Sequence, residues 1–232
     1  MSDILTPPSV GQQAEAYRGI RARVRAVCEA APATAFDSSC APTPMWRARD
    51  VVAHLVGVPN DILAGRMDGV ASDEWTQAQV DARRTTPIAE MLDAWDADAA
   101  QVEAIMAHFP PDRLGQMIYD ATTHEHDLRH ALGACGAHDS DAVRQSFAWL
   151  VNVAGPTRDE TLRLHTEAGE VVVGPTEPVV DIDLTTFEYL RAAAGRRSAA
   201  QIAGYDWHGA APRPAMLLAA PIFSLATTDI VE

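Results

Sequence analysis

The sequence predicts an α+β protein in which a four-helix bundle is followed by a small domain of strands and short helices. In the first 155 residues, apolar side chains recur at helical spacing in four long segments. Beyond Gly155-Pro156, the pattern changes to short runs separated by turns, which is typical of strands. We therefore expect residues 1–155 to form the helical domain and residues 156–232 to form the α+β domain.

The four long helices are predicted in order along the first domain. Residues 1–10 are expected to form an arm, because Pro7 and Pro8 prevent a helix from starting early. The helices are predicted at 12–30, around His54, at 87–109 and around Asp120, where Gly133 ends the last of them. We interpret the arginines of the first helix as a solvated face and Trp46 and Trp95 as core residues.

The second part is predicted to combine short helices with three strands. Asp139 or Ser140 is expected to cap a fifth helix that ends at Val151. The strands are expected at 161–165, 171–173 and 178–183, with the first two forming a hairpin. Two further helices are predicted at 185–194 and 198–203 from their capping patterns. We interpret Tyr205, Trp207 and His208 as packing residues.

Charge and composition exclude several classes of partner. The formal net charge is −14, so the protein is expected to repel nucleic acid and anionic lipid. The longest apolar stretch, 214–226, is too short to span a bilayer, and the N-terminus lacks the pattern of a signal peptide. Three widely spaced cysteines are typical of free thiols in a reducing cytoplasm. All basic residues are arginine, which indicates a GC-rich genome.

The helix predicted around Asp120 carries an unusual polar strip. Asp120, His124 and Asp127 lie along one edge of its apolar face, where polar groups are costly unless they have partners or a metal. His126 and His130 are also four residues apart, but they lie on the opposite side and are expected to face solvent.

A second helix repeats this arrangement, because His54 lies at the margin of the stripe that contains Val51 and Leu55. Two such helices can close three protein ligands inside a bundle and leave a position open, as a catalytic zinc-like site requires. Asp127 is placed either to orient a ligand imidazole or as a surface carboxylate near Arg129. The alternative to a metal site is a pair of unrelated histidines at the edge of the core, each bonded to a backbone carbonyl or a carboxylate.

Other catalytic motifs are not present in the sequence. His124-Glu125-His126 is not a zincin motif, because H-E-x-x-H requires histidine where this chain has Leu128. The sequence has no G-x-S-x-G elbow, no G-x-G-x-x-G fingerprint and no Walker loop.

Four segments resemble the DinB-like, mycothiol-dependent maleylpyruvate isomerase family of actinobacteria. The run W-R-A-R-D-V-V-A-H-L-V-G at 46–57 is similar to its first signature, and 120–133 is similar to its second. Gly195-Arg196-Arg197-Ser198 and Asp206-Trp207-His208-Gly209 resemble its C-terminal domain. The chain departs from the family pattern at Asp120, where the family has glutamate.

The resemblance implies a divalent metal ion, zinc, held by His54, Asp120 and His124, and mycothiol as a thiol cosubstrate. It also implies an enzyme that acts on a small electrophilic acid such as maleylpyruvate, either as a cis–trans isomerase or as a thiol S-transferase. Arg196 or Arg197 is then expected to bind a substrate carboxylate bidentately, whereas an ordinary role is to cap a helix end.

We expect a cytoplasmic monomer or homodimer with no nucleic-acid or membrane partner. The alternative is a binding protein without catalytic activity, which kept the fold but lost or weakened its metal site after the change to Asp120.

Overall fold

The computed structural model describes residues 5–232, and four long helices dominate its first part. These helices confirm the predicted bundle, with ends that differ by a few residues from expectation, and one shorter helix, Asp73–Ala82, was not predicted. Of the predicted arm at 1–10, residues 1–4 lie outside the described residues. The helices are α1 Val10–Ala30, α2 Ala48–Leu63, α3 Asp73–Ala82, α4 Ile88–Met106 and α5 Pro111–Ala131.

Helix α1 is joined to its neighbours by arginines. Arg18 is exposed, as a solvated face predicts, whereas Arg21, Arg23 and Arg25 are half-buried. Arg23 donates two hydrogen bonds of 2.7 Å to Glu125, whose side chain is buried on α5. The Trp95 indole donates to the Tyr17 hydroxyl at 2.9 Å, which joins α4 to α1. Four ion pairs also link these two helices: Arg18 with Glu103, Arg21 with Asp96, and Arg25 with Asp93 and with Asp96.

Helix α2 has a defined start that sets the position of His54. The Asp50 carboxylate accepts the backbone N–H of Arg47 at 2.9 Å, which satisfies a donor at the helix N-terminus. Pro59 lies inside α2 without ending it, and the helix packs on α3 and α4. His54 is thereby buried on the inner side of the bundle.

A three-stranded sheet forms the centre of the C-terminal part, with strands β1 Leu162–Thr166, β2 Gly169–Val173 and β3 Val180–Asp183. Strand β1 lies in the middle, antiparallel to β2 and parallel to β3. The predicted hairpin is therefore present, and the third strand pairs with its first strand. Leu162 and Leu164 point into the core, while Arg163 and His165 lie on the opposite face.

Three short helices complete this part: α6 Asp141–Trp149, α7 Thr186–Ala193 and α8 Ala199–Ala203. Each begins at a hydroxyl side chain that accepts a backbone N–H of the first turn, and these caps are Ser140, Thr185 and Ser198. Together with the sheet, the helices form the core and confirm the predicted small α+β architecture. Its centre contains Phe147, Leu164, Ile182, Tyr189 and Leu190.

Chain contacts divide the molecule into two compact units. One unit contains the described residues up to Ala16, Pro111–Thr123 and Ala137–Glu232, and it holds the sheet. The other contains Tyr17–Pro110 and His124–Gly136, and it holds α2, α3 and α4. Helix α5 contributes to both units, and the expected domain boundary near residue 156 stays a prediction.

None of the helices within residues 5–232 combines the length and apolar character that a membrane span requires. Cys28, Cys40 and Cys135 form no disulfide bonds; Cys28 and Cys40 are buried and Cys135 is exposed. Burial raises the pKa of the Cys28 thiol to about 12, which makes this group a poor nucleophile.

Candidate metal centre

Helices α2 and α5 bring the three predicted ligands together. His54 lies on α2, and Asp120 and His124 lie one turn apart on α5. One potential ligand atom of each residue lies within 4.8 Å of the other two. The imidazoles meet edge to face, with their ring centroids 4.7 Å apart, and both are buried, while Asp120 is half-buried. Two imidazoles and a carboxylate thus converge on one point.

The orientation of His54 is fixed by Gln79, a residue of α3 that sequence reasoning missed. His54 Nδ1 and Gln79 Oε1 are 2.8 Å apart, and Gln79 Nε2 donates to Asp61 Oδ2 at 2.7 Å. Because the Gln79 amide nitrogen is used toward a carboxylate, its oxygen accepts the proton of His54 Nδ1. This bond assigns the lone pair of the His54 imidazole to Nε2.

A glycine permits this contact. A Cβ atom on Gly57 would lie 2.6 Å from Cβ of Gln79, which is closer than two such atoms can approach. Gly57 therefore lets α3 come near enough to α2 for Gln79 to reach His54.

His124 is oriented in the same way by Asp127. The distance between His124 Nδ1 and Asp127 Oδ2 is 3.0 Å, and the Asp127 side chain is fully buried. Of the two interpretations of Asp127, the structure thus shows the bond to an imidazole and not the surface carboxylate. Arg129 instead donates to Glu125 at 3.0 Å. The remaining nitrogen of His124, Nε2, carries its lone pair.

This donor set fits a divalent metal ion of the zinc type. Metal-binding histidines generally use one ring nitrogen for the ion and donate the other N–H to a carboxylate, an amide or a carbonyl. His54 and His124 both follow this rule, through Gln79 and Asp127. Asp120 adds an anionic oxygen, and three protein ligands leave a further position open.

An open groove of about 810 Å³ adjoins His124. Trp46 lines it, with its ring centroid 5.1 Å from that of His54 and 5.6 Å from that of His124. Trp46 is half-buried, so its interpretation as a core residue was wrong, whereas Trp95 does belong to the core. The other residues that line the groove are Thr43, Pro44, Met45, Asp73, Glu74, Thr76, Gln77, Ala78 and Asp81.

Arg196 and Arg197, predicted to bind substrate, both follow α7 and are buried. Arg197 donates two bonds of 2.7 Å to Glu188 and one of 2.8 Å to Glu232. Arg196 donates to the carbonyl oxygen of Ala194 at 2.6 Å. A substrate-binding role for either arginine stays a prediction.

Sequence reasoning missed Arg191, which is fully buried. It forms two bonds of 2.8 Å with Glu232 and donates to the backbone carbonyl of Thr123 at 3.1 Å. Arg191 thus contacts α5 at the residue before His124.

Two interpretations of histidines are corrected. His126 is buried and His130 is half-buried, although both were expected to face solvent. His208 is exposed and was interpreted as a packing residue, whereas Trp207 is buried as expected.

Helix α3, which was not predicted, has one signal in the sequence. Ser72 is followed by Asp73 and Glu74, a pattern that is typical of a helix start.

Comparison with known proteins places this geometry in context. The family model of the mycothiol maleylpyruvate isomerase N-terminal domain matches residues 17–143. The crystal structures of the mycothiol-dependent maleylpyruvate isomerase and of its histidine-to-alanine mutant match with TM-scores of 0.59 and 0.57. Each is 13% identical in sequence, with 82% of this chain and 90% of that chain covered, so the likeness is one of fold. No curated protein matches the chain.

Proposed function

Since the chain belongs to the family of the mycothiol maleylpyruvate isomerase N-terminal domain, we propose that it is a metal-dependent enzyme that uses a low-molecular-weight thiol, mycothiol. The observation that carries the proposal is the buried donor set of His54, Asp120 and His124. Each imidazole is bonded through Nδ1 to Gln79 or Asp127, so the lone pair of each ring lies on Nε2, the nitrogen that would bind the ion.

His54, Asp120 and His124 would hold a zinc ion, whose charge lowers the pKa of a bound thiol so that it is a thiolate near neutral pH. Gln79 and Asp127 keep the two histidines in the tautomer that binds metal. Trp46 covers one side of both imidazoles and limits the access of water to them.

The groove beside His124 supports a thiol cosubstrate. Its lining combines the apolar Met45 and Trp46 with the acceptor oxygens of Asp73, Glu74 and Gln77. These oxygens suit a ligand that donates hydroxyl groups. The residues that line the groove include no arginine, so the groove does not itself attract a substrate carboxylate.

We therefore assign the substrate carboxylate to Arg196 or Arg197, as the sequence predicts. A guanidinium binds a carboxylate with two parallel hydrogen bonds, which fixes its orientation. Both arginines are candidates: Arg197 is also bonded to Glu188 and Glu232, and Arg196 donates to the carbonyl oxygen of Ala194.

The substrate is proposed to be a small electrophilic acid such as maleylpyruvate. The thiolate sulfur forms a bond to the electrophilic carbon; rotation and loss of the same sulfur then yield the isomerised acid. If the sulfur stays bound and a proton is added, the product is a thiol conjugate and the protein is an S-transferase. A cytoplasmic location and a monomeric or homodimeric state belong to the same proposal.

Metal analysis of purified variants tests the site. His54→Ala and His124→Ala are each expected to lose the metal ion held at this site, together with the thiol-dependent isomerase or conjugating activity. His108→Ala is the matched control, because His108 is exposed, follows the end of α4 and does not belong to the proposed site. Metal content in His54→Ala equal to that of the control would disprove the proposed site.

A second variant tests substrate binding. Arg196→Lys is expected to lower turnover because lysine cannot form the bidentate contact, while metal content stays unchanged. Full activity in this variant would remove Arg196 from the mechanism.

A further inference from the structure

A second group of potential metal ligands lies in the C-terminal part, on the outer face of the sheet. One ligand atom each of His165, Asp183 and His208 lies within 4.8 Å of the other two. His165 is on β1 and Asp183 is on β3, while His208 follows α8 in a loop. All three side chains are accessible to solvent, and none belongs to the centre formed by α2 and α5.

The backbone fixes these positions. The parallel register of β1 and β3 pairs His165 with Asp183, so their side chains share one face of the sheet. The Asp183 backbone N–H donates to the Asp206 carbonyl at 2.9 Å, which holds the loop against β3.

The loop then directs the third side chain. The His208 backbone N–H donates to Asp206 Oδ1 at 2.8 Å, and His208 has a φ angle of 50°. This left-handed conformation is uncommon for a residue with a side chain. It brings His208 Nε2 to 2.6 Å from Asp183 Oδ1 and places its ring centroid 4.9 Å from that of His165.

A surface pair between His208 and Asp183 does not by itself require a second imidazole. The convergence of two imidazoles on one carboxylate, from three separate segments, gives two nitrogen donors and one oxygen donor. The surroundings carry a net negative charge: Glu170, Asp181 and Asp206 lie near the three residues, and Arg163, which pairs with Glu170 and Asp181, is the cation beside them. Such a field attracts a cation.

We propose that His165, Asp183 and His208 form a second site, which binds a divalent transition-metal ion of the zinc or nickel type. Imidazole nitrogen is a preferred ligand of these ions, whereas magnesium and calcium prefer sites made of oxygen alone. Water fills the remaining positions, because the site is open to solvent. A bound ion joins β1, β3 and the loop at 206–208, so it stabilises this part of the chain.

Zinc titration of the full chain, with bound metal counted after dialysis, tests the proposal. The wild-type chain is expected to bind two equivalents. Asp183→Asn, His165→Gln and His208→Asn are each expected to bind one, and magnesium should not compete. Asparagine is chosen at position 208 because it tolerates the left-handed backbone better than most residues.

The two sites are separated by a double variant. His54→Ala is expected to keep the equivalent that His208→Asn loses, and the combination of both should bind none. In the His54→Ala chain, cobalt(II) is expected to give a visible spectrum that His208→Asn abolishes and that His108→Ala leaves intact. A His54→Ala chain that binds no metal, or Asp183→Asn and His208→Asn chains that bind as much metal as the wild type, would overturn the second site. Whether the first site binds metal is tested separately, by comparing the metal content of the single variant His54→Ala with that of His108→Ala.

Discussion

At the scale of single residues, the site depends on side chains that hold the ligands as much as on the ligands. Gln79 and Asp127 each accept a proton from Nδ1 of a histidine and so determine which nitrogen is available to an ion. The sequence predicts Asp127, because it lies three residues from His124 on the same helix. It does not predict Gln79, because the contact with His54 joins two helices, and no local spacing encodes it.

The first prediction concerns Gln79. Gln79→Leu removes the acceptor of His54 Nδ1–H and is expected to weaken metal binding by about 10–100-fold. The measurement is competition with a fluorescent chelator. Gln77→Leu is the matched control, since Gln77 lies on the same helix but bonds to Asp81. Equal affinities of the two variants would show that Gln79 does not position His54.

The second prediction concerns Asp120, where the family has glutamate. Its carboxylate is half-buried and close to both imidazoles, and its side chain is one methylene shorter. We expect Asp120→Glu to raise metal affinity and Asp120→Ala to lower it by about 10-fold or more. Chelator competition ranks the three proteins. Weaker binding by the glutamate variant would show that the site has adapted to aspartate.

At the scale of elements, strong apolar periodicity predicts α1, α4 and α5 well. Helix α3 was missed because few of its ten residues are apolar, and most of the ten residues are exposed. The burial of His126 was also mispredicted. A helical wheel identifies one apolar face, but α5 is buried around its whole circumference from Ala121 to Leu128. Glu125 is accommodated there because Arg23 and Arg129 neutralise its charge.

The third prediction follows from the close approach of α2 and α3. Gly57→Ala forces Gln79 to move, so it is expected to cost about 1–3 kcal/mol of unfolding free energy and to weaken metal binding. Urea unfolding and chelator competition measure the two effects. Gly11→Ala is the control: its Cβ would come no closer than 4.0 Å to another residue, so no loss is expected. A fully stable Gly57→Ala chain with normal metal binding would contradict this account of the helix contact.

At the scale of the whole molecule, the sequence predicts two regions of different architecture, because helical periodicity gives way to strand alternation. The sequence does not predict the buried ion pairs that stabilise the C-terminal part. Arg191 and Arg197 share the Glu232 carboxylate, and Arg197 also binds Glu188. These partners lie up to 41 residues apart in the chain. In the sequence, Arg196 and Arg197 at the end of a helix suggest a binding site for an anion. In the structure, Arg197 stabilises the fold through its ion pairs with Glu188 and Glu232.

This cluster gives the last prediction, which concerns acid stability. Burial raises the pKa of Glu188, but the hydrogen bonds and charge of Arg197 outweigh this effect, with a further hydrogen bond from Tyr205. The pKa of Glu188 in the folded protein is therefore below its ordinary value of 4.5. Glu188 thus stabilises the fold above about pH 4.5, and this contribution is lost as the pH falls through the lowered pKa.

Glu188→Gln is expected to lower the unfolding free energy at neutral pH by about 1–3 kcal/mol, because Arg197 loses its charged partner. The difference from the wild type should shrink as the pH falls from about 4.5 through the lowered pKa of Glu188, because the folded wild-type carboxylate is then protonated as well. Urea unfolding across this pH range measures it. Glu160→Gln, in the exposed pair with Arg213, serves as control and should change stability by less than about 1 kcal/mol. A Glu188→Gln deficit that persists undiminished in acid would mean that lost packing, and not lost charge, accounts for the effect.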